Sequence, residues 1–323
     1  AKNFNPGIYL CLIAEPSPVQ PPEHPTPLPA EVDDAWPKHV FIAAIEHTIP
    51  ERGVKVSAGG LGKVLDQMLR EHPPGLLSLA HPKVGGVAYG ELEAFARLQV
   101  LVDLEVQEVA VYRLAGFRNH GIDLNWYLLE HPLFNKLTQA SPYPYPMTKL
   151  SVLRFFSLWN QATAALIAML EPDIYHCMDY HAALAPLYLP HEKQLPTIIV
   201  LHNADYDGAI ETEFVNNVFW HTAVPLKRLS LIFNLDQGTI RKYCTFEGRF
   251  NMLQAGIACV AETQSGHGIC TVSGIYAQEL NRERTMFKGL PAVLPLDNAI
   301  DAAADDRPRT VGELRERRAQ CKR

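Results

Sequence analysis

Short, uninterrupted apolar runs constrain this chain most. Val40-Phe41-Ile42-Ala43-Ala44-Ile45 carries no polar residue on either alternating face, and 196–201 is nearly as apolar. A strand with one wet face alternates, whereas a strand buried on both faces does not. Strands of the second kind belong to parallel sheets covered by helices on both sides. Further strands are expected at 98–104, 108–114, 126–129, 173–177, 268–272 and 293–296. Helical patterns are expected at 63–70, 149–170, 181–189, most of 239–260, and 275–280. In the longest, Val152, Phe155, Phe156, Trp159, Thr163, Leu166, Ile167 and Leu170 recur at three- and four-residue steps, which buries one face. Strands alternating with helices predict an α/β fold, a doubly wound Rossmann-like parallel sheet.

The flanks read differently. Seven prolines fall in the fourteen residues from Pro16 to Pro29, and proline lacks the amide that helices and central strands need. Residues 1–37 are therefore expected to be a Pro-rich linker, with the folded domain at 38–301. Residues 302–323 are expected to be a charged connector, because the end of the chain carries seven basic residues from Arg307 to Arg323. The chain of 323 residues is 47% hydrophobic, which suits a globular domain. Its net charge of -6 argues against general nucleic-acid binding, and no apolar run is long enough to span a bilayer. The six cysteines form no CxxC pair, which favours free thiols in the cytosol.

In doubly wound sheets ligands bind beyond the carboxyl ends of the strands. Four exits stand out. Gly59-Gly60-Leu61-Gly62 precedes a helix and is either a phosphate or sugar cradle or a tight loop. In His176-Cys177-Met178-Asp179-Tyr180-His181 the spacing fits no common zinc pattern, so no metal is expected. There Asp179 either caps the following helix or, with a histidine, holds sugar hydroxyls. His202-Asn203, with Asp205, Tyr206, Asp207 and Gly208 behind it, is either a carbohydrate contact or a polar turn with a satisfied histidine. Asn298-Ala299-Ile300-Asp301 follows the last strand and is turn-like. No GxSxG, P-loop, HExxH or GxGxxG pattern occurs, which removes the main support for hydrolase, P-loop NTPase, zincin and dehydrogenase readings.

Taken in order, these motifs resemble the N-terminal half of the starch and glycogen synthase family, whose two Rossmann-like domains face a cleft in the GT-B arrangement. The family pattern is Lys-x-Gly-Gly-Leu-Gly-Asp, His-x-x-Asp-Trp-His, His-Asn-x-x-x-x-Gly, Thr-Val-Ser-x-x-Tyr-Ala and Asn-Gly-Ile-Asp. Its counterparts here are the Gly59 loop, His176 to His181, His202-Asn203 with Gly208, Thr271-Val272-Ser273 with Tyr276-Ala277, and Asn298 to Asp301. The likeness is strongest to the synthase domain of fungal cell-wall α-1,3-glucan synthases. Val84-Gly85-Gly86-Val87, Ser157-Leu158-Trp159-Asn160-Gln161, Ile232-Phe233-Asn234-Leu235-Asp236 and Phe250-Asn251-Met252-Leu253-Gln254-Ala255-Gly256 carry it.

The resemblance implies retaining transfer of glucose from UDP- or ADP-glucose to an α-glucan, with no required metal or other cofactor. It implies His202 against the transferred glucose, Asp179 near the acceptor or the reacting centre, Gly59 and Gly60 against the donor phosphates, and Asn203 and Asn298 lining the cleft. It further implies a C-terminal GT-B domain as partner outside this chain, and a cytoplasmic location within a larger plasma-membrane protein. Two departures bear on donor binding. Ser57 stands where the family has lysine, leaving Lys55 as the nearest cation before the glycines, and Lys63 replaces the acid after them. They motivate a second reading, a non-catalytic glucan-binding or regulatory module derived from the same domain.

Overall fold

The computed structural model describes residues 37–71, 75–119, 122–144, 147–204, 207–210, 224–283, 285–288 and 290–296. The Pro-rich segment, the Asn298 turn and the charged connector lie outside the described residues, as do Asp205 and Tyr206.

The first strand, β1 (His39–Ala43), is the apolar run. A hairpin of β2 (His47–Ile49) and β3 (Val54–Val56) follows it, then α1 (Leu61–Glu71) and β4 (Leu76–Pro82). Next come β5 (Glu93–Val102), β6 (Glu105–Asn119) and β7 (Ile122–Glu130), and then the long α2 (Lys149–Leu170). The second half holds β8 (Ile174–Met178), β9 (Thr197–Leu201), α3 (Leu226–Phe233), α4 (Gln237–Tyr243), β10 (Thr245–Phe246), β11 (Arg249–Phe250), α5 (Met252–Thr263), β12 (Ile269–Thr271), α6 (Gly274–Glu283) and β13 (Leu294–Pro295).

Nine strands form one sheet in the order β13-β12-β9-β8-β1-β4-β7-β6-β5. The seven from β13 to β7 are parallel, and β6 and β5 extend that edge as an antiparallel hairpin. The sheet is thus mostly rather than wholly parallel. β1 pairs with β4 on one side and β8 on the other, Ala43 standing opposite both Ala80 and Cys177. The chain fills one side of β1 first, passing from β4 to the far edge at β5 and back through β6 to β7, and after α2 it fills the other side. The boundary between β1 and β8 is therefore the topological switch point, where such sheets open a crevice. Phe41, Ile42 and Ala43 are all fully buried, as a strand covered on both faces requires.

The helix α2 begins at Thr148, whose side chain accepts the Ser151 N–H, and stops at Glu171 with φ 48°. Phe155, Phe156 and Trp159 project from it into the core, where Phe134 meets Phe155 and Trp159 edge to face.

Several local expectations need correction. The helix expected over 239–260 is two helices, α4 and α5, separated by the β10–β11 hairpin. At its turn Glu247 and Gly248 both take positive φ, the twist that tight two-residue hairpins favour. The helix expected over 181–189 is a pair of short 3-10 turns, Tyr180–Ala182 and Ala185–Tyr188, the second opening around Pro186. The strand expected over 98–104 ends at Val102, because Asp103 and Leu104 turn with positive φ. β4 and α3 were not expected: Ser78 and His81 interrupt the apolar run of β4, yet both are fully buried.

Candidate active site

The loops leaving β1, β8 and β9 carry the polar residues of the switch-point crevice. Glu46, just after β1, is 1% exposed. Its Oε1 accepts the Gly59 N–H at 3.1 Å and the Tyr143 hydroxyl at 2.8 Å. Its Oε2 accepts the Gly62 N–H at 3.1 Å and lies 2.9 Å from the Ser57 hydroxyl. The single Ser57 proton bridges this oxygen and the Gly59 carbonyl at 2.8 Å. Four donors fill the acceptor capacity of one carboxylate.

Asp179, directly after β8, is buried. It does not cap the turn that follows it. Its backbone takes φ 57° and ψ -169°, a region costly for any residue with a side chain. That twist aims the carboxylate across to the next strand exit, where Oδ1 accepts the His202 N–H at 2.8 Å and the Asn203 N–H at 3.5 Å. Burial pushes the Asp179 carboxyl up to about 7 against the pull of these two donors, and the nearby Glu46 charge adds to the rise.

His202 is half-buried, and its Nε2 has no hydrogen-bond partner among the described residues. Burial lowers its imidazole to about 4, with Glu46 pulling the other way. The ring is neutral, and this partnerless nitrogen is shielded from solvent. Asn203 is exposed beside it.

His181 completes the wall. Its ring stacks on Tyr143 at 5.0 Å between centroids and lies 4.2 Å from Tyr180. Burial holds it down at about 3, so it is a neutral aromatic surface. Tyr143 therefore joins the Glu46 carboxylate to the His181 ring.

Among the motifs that carry the fungal likeness, Ser157 to Gln161 reaches this wall through Asn160. Asn160 on α2 is fully buried. It donates to the Phe156 carbonyl at 2.8 Å and the His181 carbonyl at 3.0 Å, and accepts the Leu184 N–H at 3.0 Å. Ser157 donates to Ile232 O at 2.6 Å, and Gln161 donates to Leu101 O at 2.8 Å. Asn251 caps α5 through the Gln254 N–H at 2.8 Å and donates to Asp207 at 2.8 Å. Gly208 beside it has φ +69°, and a Cβ there would stand 2.7 Å from Tyr180 Cδ2 and 2.6 Å from Met252 Cε. Only glycine lets this loop lie against the Tyr180 ring.

Of the residues singled out in the sequence, Asp179, His202, Asn203 and Gly59 are linked here directly or through Glu46. Gly60 is exposed with open space where a Cβ would point. Lys55 lies on the exposed face of β3, opposite Thr48, and makes no hydrogen bond or ion pair among the described residues. Lys63 is exposed on the first turn of α1. Sequence reasoning missed Glu46 and Tyr143. Glu46 had a usable signal, being the first charged residue after the most apolar strand. Tyr143 had none, since it stands 97 positions away in a proline-rich connection.

A family profile described as the starch synthase catalytic domain matches residues 45–295. The chain belongs to that family. Among curated members, it is 34% identical over 281 residues to the cell wall alpha-1,3-glucan synthase mok13 of Schizosaccharomyces pombe, an overlap of 85% of this chain and 11% of that one. It is 30% identical over 307 residues to ags1 of the same yeast, covering 91% of this chain and 12% of the relative. A glycogen synthase of Bordetella petrii shares 26% identity over 149 residues, 44% of this chain and 23% of that protein. The chain thus spans about a tenth of the length of the fungal synthases that it matches. A solved structure, the catalytic domain of starch synthase IV from Arabidopsis thaliana bound to ADP and acarbose, superposes with a TM-score of 0.52 at 22% identity. The match covers 76% of this chain and 47% of that one, and identifies the fold as that of a GT-B synthase domain. Among the described residues no helix is long and apolar enough to cross a membrane.

Proposed function

We propose that this chain is the acceptor-side domain of an α-glucan synthase that moves glucose from UDP- or ADP-glucose to an α-glucan with retention. The observation that carries the reading is the convergence of the glycine-loop carboxylate, Asp179 and His202 at one switch point. Breaking a sugar–diphosphate bond develops positive charge on the sugar and negative charge on the leaving group, and fixed polar groups lower that barrier most. In this reading the neutral His202 ring contacts the transferred glucose and helps hold its reacting face. Asp179 stands at the reacting centre, and Asn203 and Asn298 line the sugar path. Gly59 and Gly60 belong to the wall facing the donor phosphates, with Lys55 the nearest cation before them. No metal or other cofactor is invoked. A second GT-B domain supplies the rest of the nucleotide site, since both sides must be placed together for turnover. The domain sits on the cytoplasmic side of a larger membrane-attached protein.

His202→Ala in the full protein tests this reading. Turnover with nucleotide-glucose and an α-glucan primer falls by about two orders of magnitude, the scale of a lost transition-state contact. Kinetics within twofold of the unsubstituted protein overturn the assignment.

One observation favours a second reading, a glucan-binding or regulatory module without catalysis. The Ser57 hydroxyl, where the family pattern has a lysine, is engaged by Glu46 and the Gly59 carbonyl and adds no positive charge for a diphosphate. Glucan binding with no synthesis from either nucleotide sugar, measured on the full protein, supports that reading over the first.

A further inference from the structure

Glycine-rich loops that open a helix direct backbone N–H groups toward an anion. In this chain such an anion is part of the protein. We propose that Glu46 is a positioning residue, the internal anion around which the loop from Ser57 to Gly62 is folded. The inference rests on the synthase reading for its kinetic consequence, though not for its structural one.

The geometry is specific. The carboxylate is almost wholly buried, so its four hydrogen bonds replace water rather than compete with it. Two come from the backbone at Gly59 and Gly62, one from Ser57 within the same loop, and one from Tyr143, far away in sequence. The loop packs against the group: a Cβ on Gly59 would stand in ordinary contact with Glu46 Oε1, and one on Gly62 with Glu46 Cβ, both at 3.5 Å. One side chain at the exit of β1 thereby ties two further segments together, the glycine loop and the connection that holds Tyr143.

Two consequences follow for a ligand. The Gly59 and Gly62 amides point inward and are engaged, so within that wall a diphosphate is met by the open face of Gly60 and not by the Gly59 N–H. Through Tyr143, which stacks on His181, the same carboxylate also sets the aromatic wall opposite. Removing the acceptor loosens the donor side of the crevice first, because three of its four partners lie in the glycine loop.

The test is Glu46→Gln in the full protein. Glutamine keeps the volume, but its amide nitrogen cannot accept the glycine N–H that it faces, and the hydroxyl beside it must turn from donor to acceptor. Two readouts are taken. Hydrogen–deuterium exchange over residues 57–64 is expected to accelerate at least tenfold, with exchange in β8 and β9 unchanged. In steady-state transfer assays the KM for the nucleotide sugar is expected to rise at least tenfold while the KM for the glucan primer stays within twofold. A purely structural role would weaken both substrates together. Should Glu46→Gln fail to fold, Ser57→Ala removes a single donor and is expected to raise loop exchange and donor KM in the same sense, a few-fold. Unchanged loop exchange in a folded variant overturns the proposal, as does an unchanged donor KM in an active one. If the unsubstituted protein transfers no glucose, the synthase reading falls, and the exchange measurement still decides the role of Glu46.

Discussion

Asp179 accepts the backbone N–H of His202 at 2.8 Å, so the carboxylate at the end of β8 fixes the exit of β9. The bond explains why a non-glycine residue tolerates φ 57° and ψ -169° there. A strained backbone persists where its surroundings over-determine it, and such places cluster at functional sites.

The same burial makes Asp179 a pH-sensitive element. Its carboxyl is raised from 3.8 to about 7, so the folded chain holds this proton more tightly than the unfolded chain does. The contribution to stability is full below pH about 4 and is lost as pH rises through about 7. Asp179→Asn keeps the accepting oxygen and cannot ionise. Its stability relative to the parent is expected to grow between those limits, by at most about 1.4 kcal/mol per pH unit, and to level off above them. Urea unfolding at a series of pH values measures this. A constant difference from pH 4 to pH 8 sinks it.

The histidines act in the opposite sense. Burial holds His181 at about 3, against 6.5 for a free imidazole. A depressed histidine costs nothing above pH about 6.5 and destabilises progressively below it, as the unfolded chain takes up the proton and the folded chain does not. His181→Phe retains the aromatic contacts with Tyr143 and Phe156 and removes the titration. It is expected to narrow the loss of stability between pH 6.5 and pH 4, which thermal melts at each pH will show. Equal acid sensitivity in the two proteins contradicts a buried neutral ring.

The fold was legible because its central strands are buried on both faces, and Val40 to Ile45 says so without help. The switch point followed from it, and with it the exits carrying Asp179 and His202. What stayed hidden depends on contacts distant in sequence. The strand from Leu76 to Pro82 is interrupted by Ser78 and His81, whose partners come only with the assembled fold: Ser78 lies 2.7 Å from His39 Nε2, and His81 Nδ1 lies 2.7 Å from the Ala44 carbonyl. Glu46 looked like an ordinary charge until Gly59, Gly62, Ser57 and Tyr143 closed around it. The Ser157 to Gln161 segment read as a likeness, while its work as a brace became visible only through its partners on other elements.

That brace gives a stability prediction. Asn160→Ala leaves the His181 carbonyl and the Leu184 N–H without their buried partner. Each orphaned group costs roughly 1–3 kcal/mol. The midpoint of urea unfolding should drop accordingly with little change in slope, and tyrosine and tryptophan fluorescence is a convenient probe. Asn160→Asp keeps the acceptor for Leu184 but turns a donor toward the His181 carbonyl into an acceptor, so it should be no milder. A loss below about 0.5 kcal/mol in Asn160→Ala would mean that the wall is held elsewhere.

Ser57 offers the sharpest separation of the two functional readings. Its hydroxyl is 2.9 Å from Glu46, so a lysine introduced there starts beside a carboxylate and at the rim of the glycine loop. Ser57→Lys adds one positive charge where the synthase reading places the donor phosphates. A hydrogen bond to a charged group contributes about 1.5–3 kcal/mol, roughly ten- to a hundred-fold in affinity. Titration calorimetry of the full protein with ADP-glucose and UDP-glucose should show tightening of that order. Glucan affinity should not move, since the added charge lies on the glycine-loop side assigned to the donor phosphates. The gain should also shrink at high salt, because an exposed ammonium is screened over about 10 Å at 0.1 M. If nucleotide-sugar affinity is unaltered, the loop does not face a diphosphate, and the glucan-binding reading gains what the synthase reading loses.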